Sequence, residues 1–284
     1  MAVHGIYFSA TQTTAKIVKA VASSVANALS QTVEIHDITS PKQRWEAGLV
    51  DTTNGKIPSP LSFSATDIVI FGVPVYIGRV PNLMKPFFAK IKGNGATGIP
   101  IVVYGNRHYD DALIELRDLM EEGQFRCDLA AAAFIGEHSF STILGAGRPD
   151  LEDLAIATDF GKVIAKSITM GKRGKLPLPG NVPYRFFSAV DDQGKPFDIR
   201  KVKPQTNISL CNGCGHCAQI CPMGAINPQN LTEITGICIK CNACVKRCPR
   251  FAKYFDDERY LEHLGILERK FASKRCLPTI WTAE

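Results

Sequence analysis

The sequence predicts an α/β chain: a doubly wound parallel five-stranded sheet, then a second, small domain organised by cysteines. Two observations predict it. Short apolar strands alternate with amphipathic helical stretches over about the first 165 residues, the pattern of an open parallel sheet with helices on both faces. Beyond them, eight of the ten cysteines fall between Cys211 and Cys248.

Residues 3–9 (VHGIYFS) are short, apolar, β-branched and aromatic, which is a buried strand. A helix follows, because Ile17, Val21, Val25 and Leu29 recur every fourth residue and make one apolar stripe. Further strands are expected at 33–38, 67–73, 99–105 and 129–136, and helices at 82–90, 110–122 and 151–167. Residues 166–203 hold nine Lys or Arg against three Asp, with Gly and Pro interspersed. Such a stretch reads as a linker. It is either a solvated connector or a basic collar for an acidic partner. The tail segment DDERYLEHLGILERKFA has helical spacing at Tyr260, Leu264, Leu267 and Phe271. Its acidic start and basic end complement the helix dipole. The expected division is 1–168, a linker at 169–205, a cysteine domain at 206–255, and a C-terminal helix and tail at 256–284.

With 45% hydrophobic and 21% charged residues, the composition is that of a soluble globular protein. The longest apolar run, 68–78, is too short to span a bilayer. MAVHGIYFSA shows neither the basic nor the apolar region of an export signal. A cytoplasmic location with reduced thiols is therefore expected.

The cysteines form two copies of one run. Cys211, Cys214, Cys217 and Cys221 precede Pro222; Cys238, Cys241, Cys244 and Cys248 precede Pro249. Both read C-x2-C-x2-C-x3-C-P, which resembles the run that wraps cubane clusters in bacterial two-cluster ferredoxins. Zinc is the alternative, but structural zinc sites use two separated pairs of ligands. The resemblance implies two [4Fe–4S] clusters. Cys211, Cys214, Cys217 and Cys248 would hold one, and Cys238, Cys241, Cys244 and Cys221 the other. The formal charge of +6 omits these anionic groups, so it is no nucleic-acid signal.

Ligands of open α/β sheets bind at the carboxyl ends of the strands. Three loops are expected there. Ser9, Thr11, Gln12, Thr13 and Thr14 offer side-chain donors at a helix start, without the glycines or lysine of nucleotide loops. That suits one phosphate monoester, or simply a capped helix. The second loop holds Pro74, Val75, Tyr76, Ile77 and Gly78, and continues to Arg79. The third holds Tyr104, Gly105, Asn106, Arg107, Tyr109 and Asp110.

The Ser/Thr-rich loop resembles the phosphate loop of flavodoxins. The Y-G-N-R-x-Y-D loop, with the cysteine runs, resembles fused flavodoxin–ferredoxin proteins of anaerobic microbes. The resemblance implies a flavodoxin-like first domain holding FMN between the second and third loops. It implies a small α+β, ferredoxin-like second domain. Tyr76 or Tyr109 would supply an aromatic face. Gly78, Gly105 and Asn106 would allow close approach of N–H and amide donors to the ring edge. Arg79 and Arg107 would offset negative charge on the ring. After Cys248-Pro249 the chain departs from the usual small, apolar turn and reads Arg250-Phe251-Ala252-Lys253.

Outside these runs, Cys127 reads as a packed core thiol, Cys276 as an inert thiol in a basic tail, and His216 as a surface residue beside a complete ligand set. The function expected is electron transfer between FMN, two clusters and partner oxidoreductases. The alternative is an FMN-dependent reductase of a quinone, nitro compound or metal ion. A stacked tyrosine cover over the ring favours the carrier, and an open pocket favours the reductase. Neither nucleic acid nor a membrane span is expected, and a homodimer is left open.

Overall fold

The computed structural model describes residues 1–50 and 59–284. Five strands run parallel: β1 (Val3–Tyr7), β2 (Val33–Asp37), β3 (Ile68–Pro74), β4 (Thr97–Tyr104) and β5 (Ala130–Ile135). Their spatial order is β2-β1-β3-β4-β5, which is the order of flavodoxin-like doubly wound sheets.

Strand alternation divides the core between two faces. Ile6, Phe8, Val69, Phe71, Val73 and Val102 point to one face. There α2 (Pro41–Glu46), α3 (Lys85–Phe88) and α4 (Ala112–Glu122) lie. Tyr7, Ile68, Ile70, Ile101 and Val103 point to the other, under α1 (Thr13–Leu29) and α5 (Leu151–Thr169). Burial on both faces explains why the central strands read as continuous apolar runs. A Cβ on Gly72 would lie 2.2 Å from Val18 Cγ2, so α1 settles on β3 only because glycine stands there.

The sheet has a sixth strand that the sequence reading did not anticipate. β8 (Thr279–Thr282) returns from the chain's C-terminal end and pairs antiparallel with β5. Trp281 packs beside Tyr109 with ring centres 6.1 Å apart.

The cysteine region lies between two short strands, β6 (Gln205–Thr206) and β7 (Lys253–Tyr254), which pair antiparallel. It contains two single-turn helices, α6 (His216–Gln219) and α7 (Ala243–Lys246). The tail forms α8 (Glu258–Phe271). Its buried side chains are Tyr260, His263, Ile266 and Leu267, so the packed stripe is turned slightly from the one expected. No described helix is long and apolar enough to cross a membrane.

Residues 171–204 are a strap laid on the first domain, not a solvated connector. Leu176 and Leu178 are buried. Asp111 accepts hydrogen bonds from the N–H of Asn181 and of Arg185. Tyr184 donates its hydroxyl to Asp118, and the Phe187 N–H donates to the Ile77 carbonyl at 3.0 Å.

Candidate cofactor cavity and cysteine sites

The carboxyl ends of β1, β3, β4 and β5 open into one cavity of about 390 Å³, a size common for small-molecule cofactors. Of the residues singled out in the sequence, Thr11, Thr13, Pro74, Val75, Tyr76, Ile77, Gly78, Tyr104, Gly105 and Arg107 line it. Ser9, Gln12, Thr14, Asn106, Tyr109 and Asp110 do not.

The reasons are local. Ser9 is buried, and its Oγ accepts the N–H of Ala15 while its own N–H donates to Thr39 Oγ1. Gln12 takes a left-handed backbone, φ 68°, at the cap of α1, and donates its amide to the Ser9 carbonyl. This pair shapes the loop. Thr14 is fully buried, and its Oγ1 has no hydrogen-bond partner among the described residues. An unpaired buried hydroxyl is costly, and this one sits on the first turn of α1. Gln12, at the N-cap of α1, gives the helix no side-chain hydrogen bond, and the first turn holds no acid. By contrast, Ser40 caps α2 and Asp150 caps α5. With the Ala15 N–H taken by Ser9, the start of α1 presents its positive dipole end and the N–H groups of Thr13 and Thr14 to an anion. These are the features a phosphate monoester requires.

In the third loop, the Asn106 side chain is committed elsewhere. Its Nδ2 donates to the carbonyls of Phe271 and Lys274, and its Oδ1 accepts the Cys276 N–H. Asn106 therefore ties the chain leaving α8 to the loop after β4. Tyr109 is withdrawn into the core, stacked on His108 and edge-on to Tyr104. Asp110 pairs with Arg107. The Arg107 guanidinium lies 3.8 Å from the Phe187 ring centre, and burial lowers its pKa to about 10. Arg79 does not face the cavity. It is buried against Glu115, with Nε donating to Oε2 at 2.7 Å, and its guanidinium lies 4.7 Å from the Tyr184 ring centre and 4.5 Å from that of Phe186.

Sequence reasoning missed a fourth loop, Gly136, Glu137, His138, Ser139 and Phe140, which also lines the cavity. It follows the carboxyl end of β5, and that position was the available signal. His138 Nδ1 accepts the N–H of Phe140, which leaves the proton on Nε2. Burial, helped by Lys246, lowers its pKa to about 3, so the ring is neutral near pH 7. Phe187 and Arg200 of the strap, His263 and Leu267 of α8, and Cys238, Ile239 and Lys240 of the second cysteine run complete the wall.

The cysteines line two further small cavities. One is bounded by Cys221, Cys238, Cys241 and Cys244, the other by Cys211, Cys214, Cys217 and Cys248. Each therefore takes three cysteines of one run and the fourth of the other. Backbone N–H groups point at sulfur: Ala225 to Cys221, Lys240 to Cys238 and Ala252 to Cys248, at 3.3 to 3.4 Å. Burial pushes the Cys244 thiol up to about 12. For Cys248 burial works upward, but the N–H groups of Ala252, Arg250, Lys253 and Phe251 outweigh it and lower the pKa.

The two runs share a backbone. Gly213, Gly215 and Gly224 have positive φ, as do Lys240, Asn242 and Phe251 at the matching positions. The departure at Arg250-Phe251 thus leaves the turn intact, with Phe251 in a conformation that favours glycine.

Basic side chains join the cysteine region to the first domain. Arg44 Nη2 donates to the Pro222 carbonyl at 2.6 Å. Lys246 donates to the carbonyls of His138 and Ser141 at 2.6 and 2.7 Å.

Residues 201–252 match the family model described as a 4Fe-4S dicluster domain. No curated protein matches the chain. Among solved structures, a flavodoxin from the domain Archaea aligns at 13% identity over 60% of this chain and 99% of its own, TM-score 0.36. Oxidised flavodoxin 1 from Bacillus cereus aligns at 15% over 58% and 98%, TM-score 0.37. Rubredoxin oxygen:oxidoreductase from Desulfovibrio gigas aligns at 15% over 60% of this chain and 36% of its own, TM-score 0.37. These likenesses are too loose to carry an argument, and the fold assignment rests on the strand order. A doubly wound sheet beside an iron–sulfur domain supports a redox role. The chain joins a doubly wound sheet with the flavodoxin-like strand order to a region that matches the 4Fe-4S dicluster model.

Proposed function

We propose that the chain is an electron-transfer protein that binds FMN and two [4Fe–4S] clusters and relays electrons among them and partner oxidoreductases. The observation that carries this reading is that Cys238 borders two cavities at once: the one ringed by the strand-end loops, and the one bounded by four cysteines. FMN supplies two-electron chemistry when bound, and each cluster one-electron chemistry. Thr11 and Thr13, which line the cavity, would hold the phosphate with the first turn of α1. Tyr76, Phe140 and Phe187 offer aromatic surface to the ring system, and His138 offers a neutral N–H donor. Residues 1–168 form the flavin domain and 206–255 the cluster domain, with the strap and α8 closing the space between them.

The alternative is a reductase, in which a small molecule meets the ring directly. Tyr109 does not reach the cavity, so a two-sided tyrosine cover does not form. Phe187, Arg200, His263 and Leu267 stand over the site instead. What favours the carrier is the Cys238 wall that the cavity shares with the cysteine site.

Anaerobic reconstitution with iron, sulfide and FMN, followed by a redox titration read by EPR and visible absorption, tests the reading. It predicts one FMN and about eight irons per chain, with three redox centres. Stoichiometric zinc without sulfide or flavin would overturn it. Steady turnover of quinones by the reduced protein, with no transfer to protein acceptors, would favour the reductase.

A further inference from the structure

We propose that His4, Glu34 and His36 form a binding site for one divalent transition-metal ion, at the end of the sheet remote from the cofactor cavity. Strand register assembles the group. β1 and β2 are parallel neighbours in which His4 pairs with Glu34 and Ile6 with His36. Side chains of a strand alternate between faces, so Glu34 and His36 share a face, and all three groups converge there. His4 lies five residues before Ser9, roughly 16 Å back along an extended chain.

The distances suit a metal. His4 Nδ1 is 3.2 Å from His36 Nε2. Glu34 Oε2 is 3.5 Å from His4 Nδ1 and 3.9 Å from His36 Nε2. Ligands about 2.0–2.1 Å from a tetrahedral zinc ion stand roughly 3.3 Å from one another. The triangle is close to that size without any ion to draw it in. A single proton joins only two of its atoms, whereas a cation satisfies all three.

The surroundings also fit. Behind His4, Asp67 Oδ2 stands 4.0 Å from Nε2. Asp67 is itself fixed by the N–H groups of Ala2 and Ser64 and by the Ser64 hydroxyl. At that distance it makes no hydrogen bond to the ring, but its negative charge favours a cation beside His4. The Phe63 ring covers both imidazoles, with centres at 4.8 Å from His4 and 6.0 Å from His36. Glu34 is mostly exposed, which leaves a fourth position for water. Two imidazoles and one carboxylate select a late transition ion such as zinc over calcium or magnesium, which prefer all-oxygen sites. The ion would clip edge strand β2 to β1.

The test uses the full chain with its clusters loaded. The protein is equilibrated anaerobically with buffered zinc, and zinc and iron are counted by mass spectrometry. The expected result is one zinc per chain with iron unchanged. Glu34→Gln and His36→Gln should each weaken zinc binding at least tenfold with iron unchanged, and Asp67→Asn by a smaller factor. No zinc on the wild type, equal binding by the Glu34 and His36 variants, or zinc taken up only as iron is lost would overturn the proposal.

Discussion

Tyr76 packs against Cys241 while also lining the strand-end cavity. One side chain thus touches both candidate cofactor sites. Burial, with Cys241 adding, raises its phenol pKa well above the ordinary value, so the side chain is neutral there. Tyr76→Leu is expected to weaken FMN binding about tenfold, the scale of one lost aromatic contact, and to leave iron and sulfide content intact. Flavin fluorescence titration of the cluster-loaded protein measures this.

Phe251 occupies, at φ 53°, the position that Gly224 fills in the first run, and its side chain is 80% exposed. It gains little from packing while holding a strained backbone. Phe251→Gly should stabilise the protein by about 1 kcal/mol, read from chemical denaturation of the loaded form.

The strand order and the grouping of the cysteines were legible because their signals are local. Alternating strands, a four-residue stripe and a repeated cysteine spacing all lie within short windows. What stayed hidden depends on distant partners. Thr279–Thr282 is β-branched and aromatic, yet nothing near it in sequence reveals that it pairs with β5. Asn106 reads as a cofactor contact until residues 271–276 fold back onto it. Arg79 reads as a loop charge until Glu115, on α4 beyond α3 and β4, neutralises it. Residues 171–204 look like a connector because proline and glycine outnumber the buried leucines that pin the strap down.

Glu115 is buried, and it accepts from Arg79, from Lys85 Nζ and from the Val80 N–H. Removing the carboxylate leaves the Arg79 charge in the interior. Glu115→Gln should cost about 3–5 kcal/mol. Replacing Arg79 and Glu115 together by Met and Leu should cost less, because neither charge is then stranded. Urea denaturation of the single and double variants checks both.

His138 sets a pH dependence. Its folded pKa, near 3, lies below the ordinary value of 6.5. The unfolded chain therefore takes up a proton that the folded chain refuses. The stabilising effect of the neutral ring is complete above about pH 6.5 and declines as pH falls toward 3. Between pH 6.5 and 5 the wild type should lose up to about 2 kcal/mol from this group. His138→Gln should lack that part of the slope, seen by comparing denaturation midpoints at the two pH values.

The central claim is that flavin and clusters exchange electrons inside one chain, through the wall that Cys238 and Tyr76 share. Rapid reduction of the reconstituted protein, with flavin and cluster absorbance followed at several protein concentrations, tests it most directly. The account predicts a first-order transfer phase whose rate is independent of protein concentration. A rate that rises in proportion to concentration would contradict it, because the electron would then be crossing between molecules.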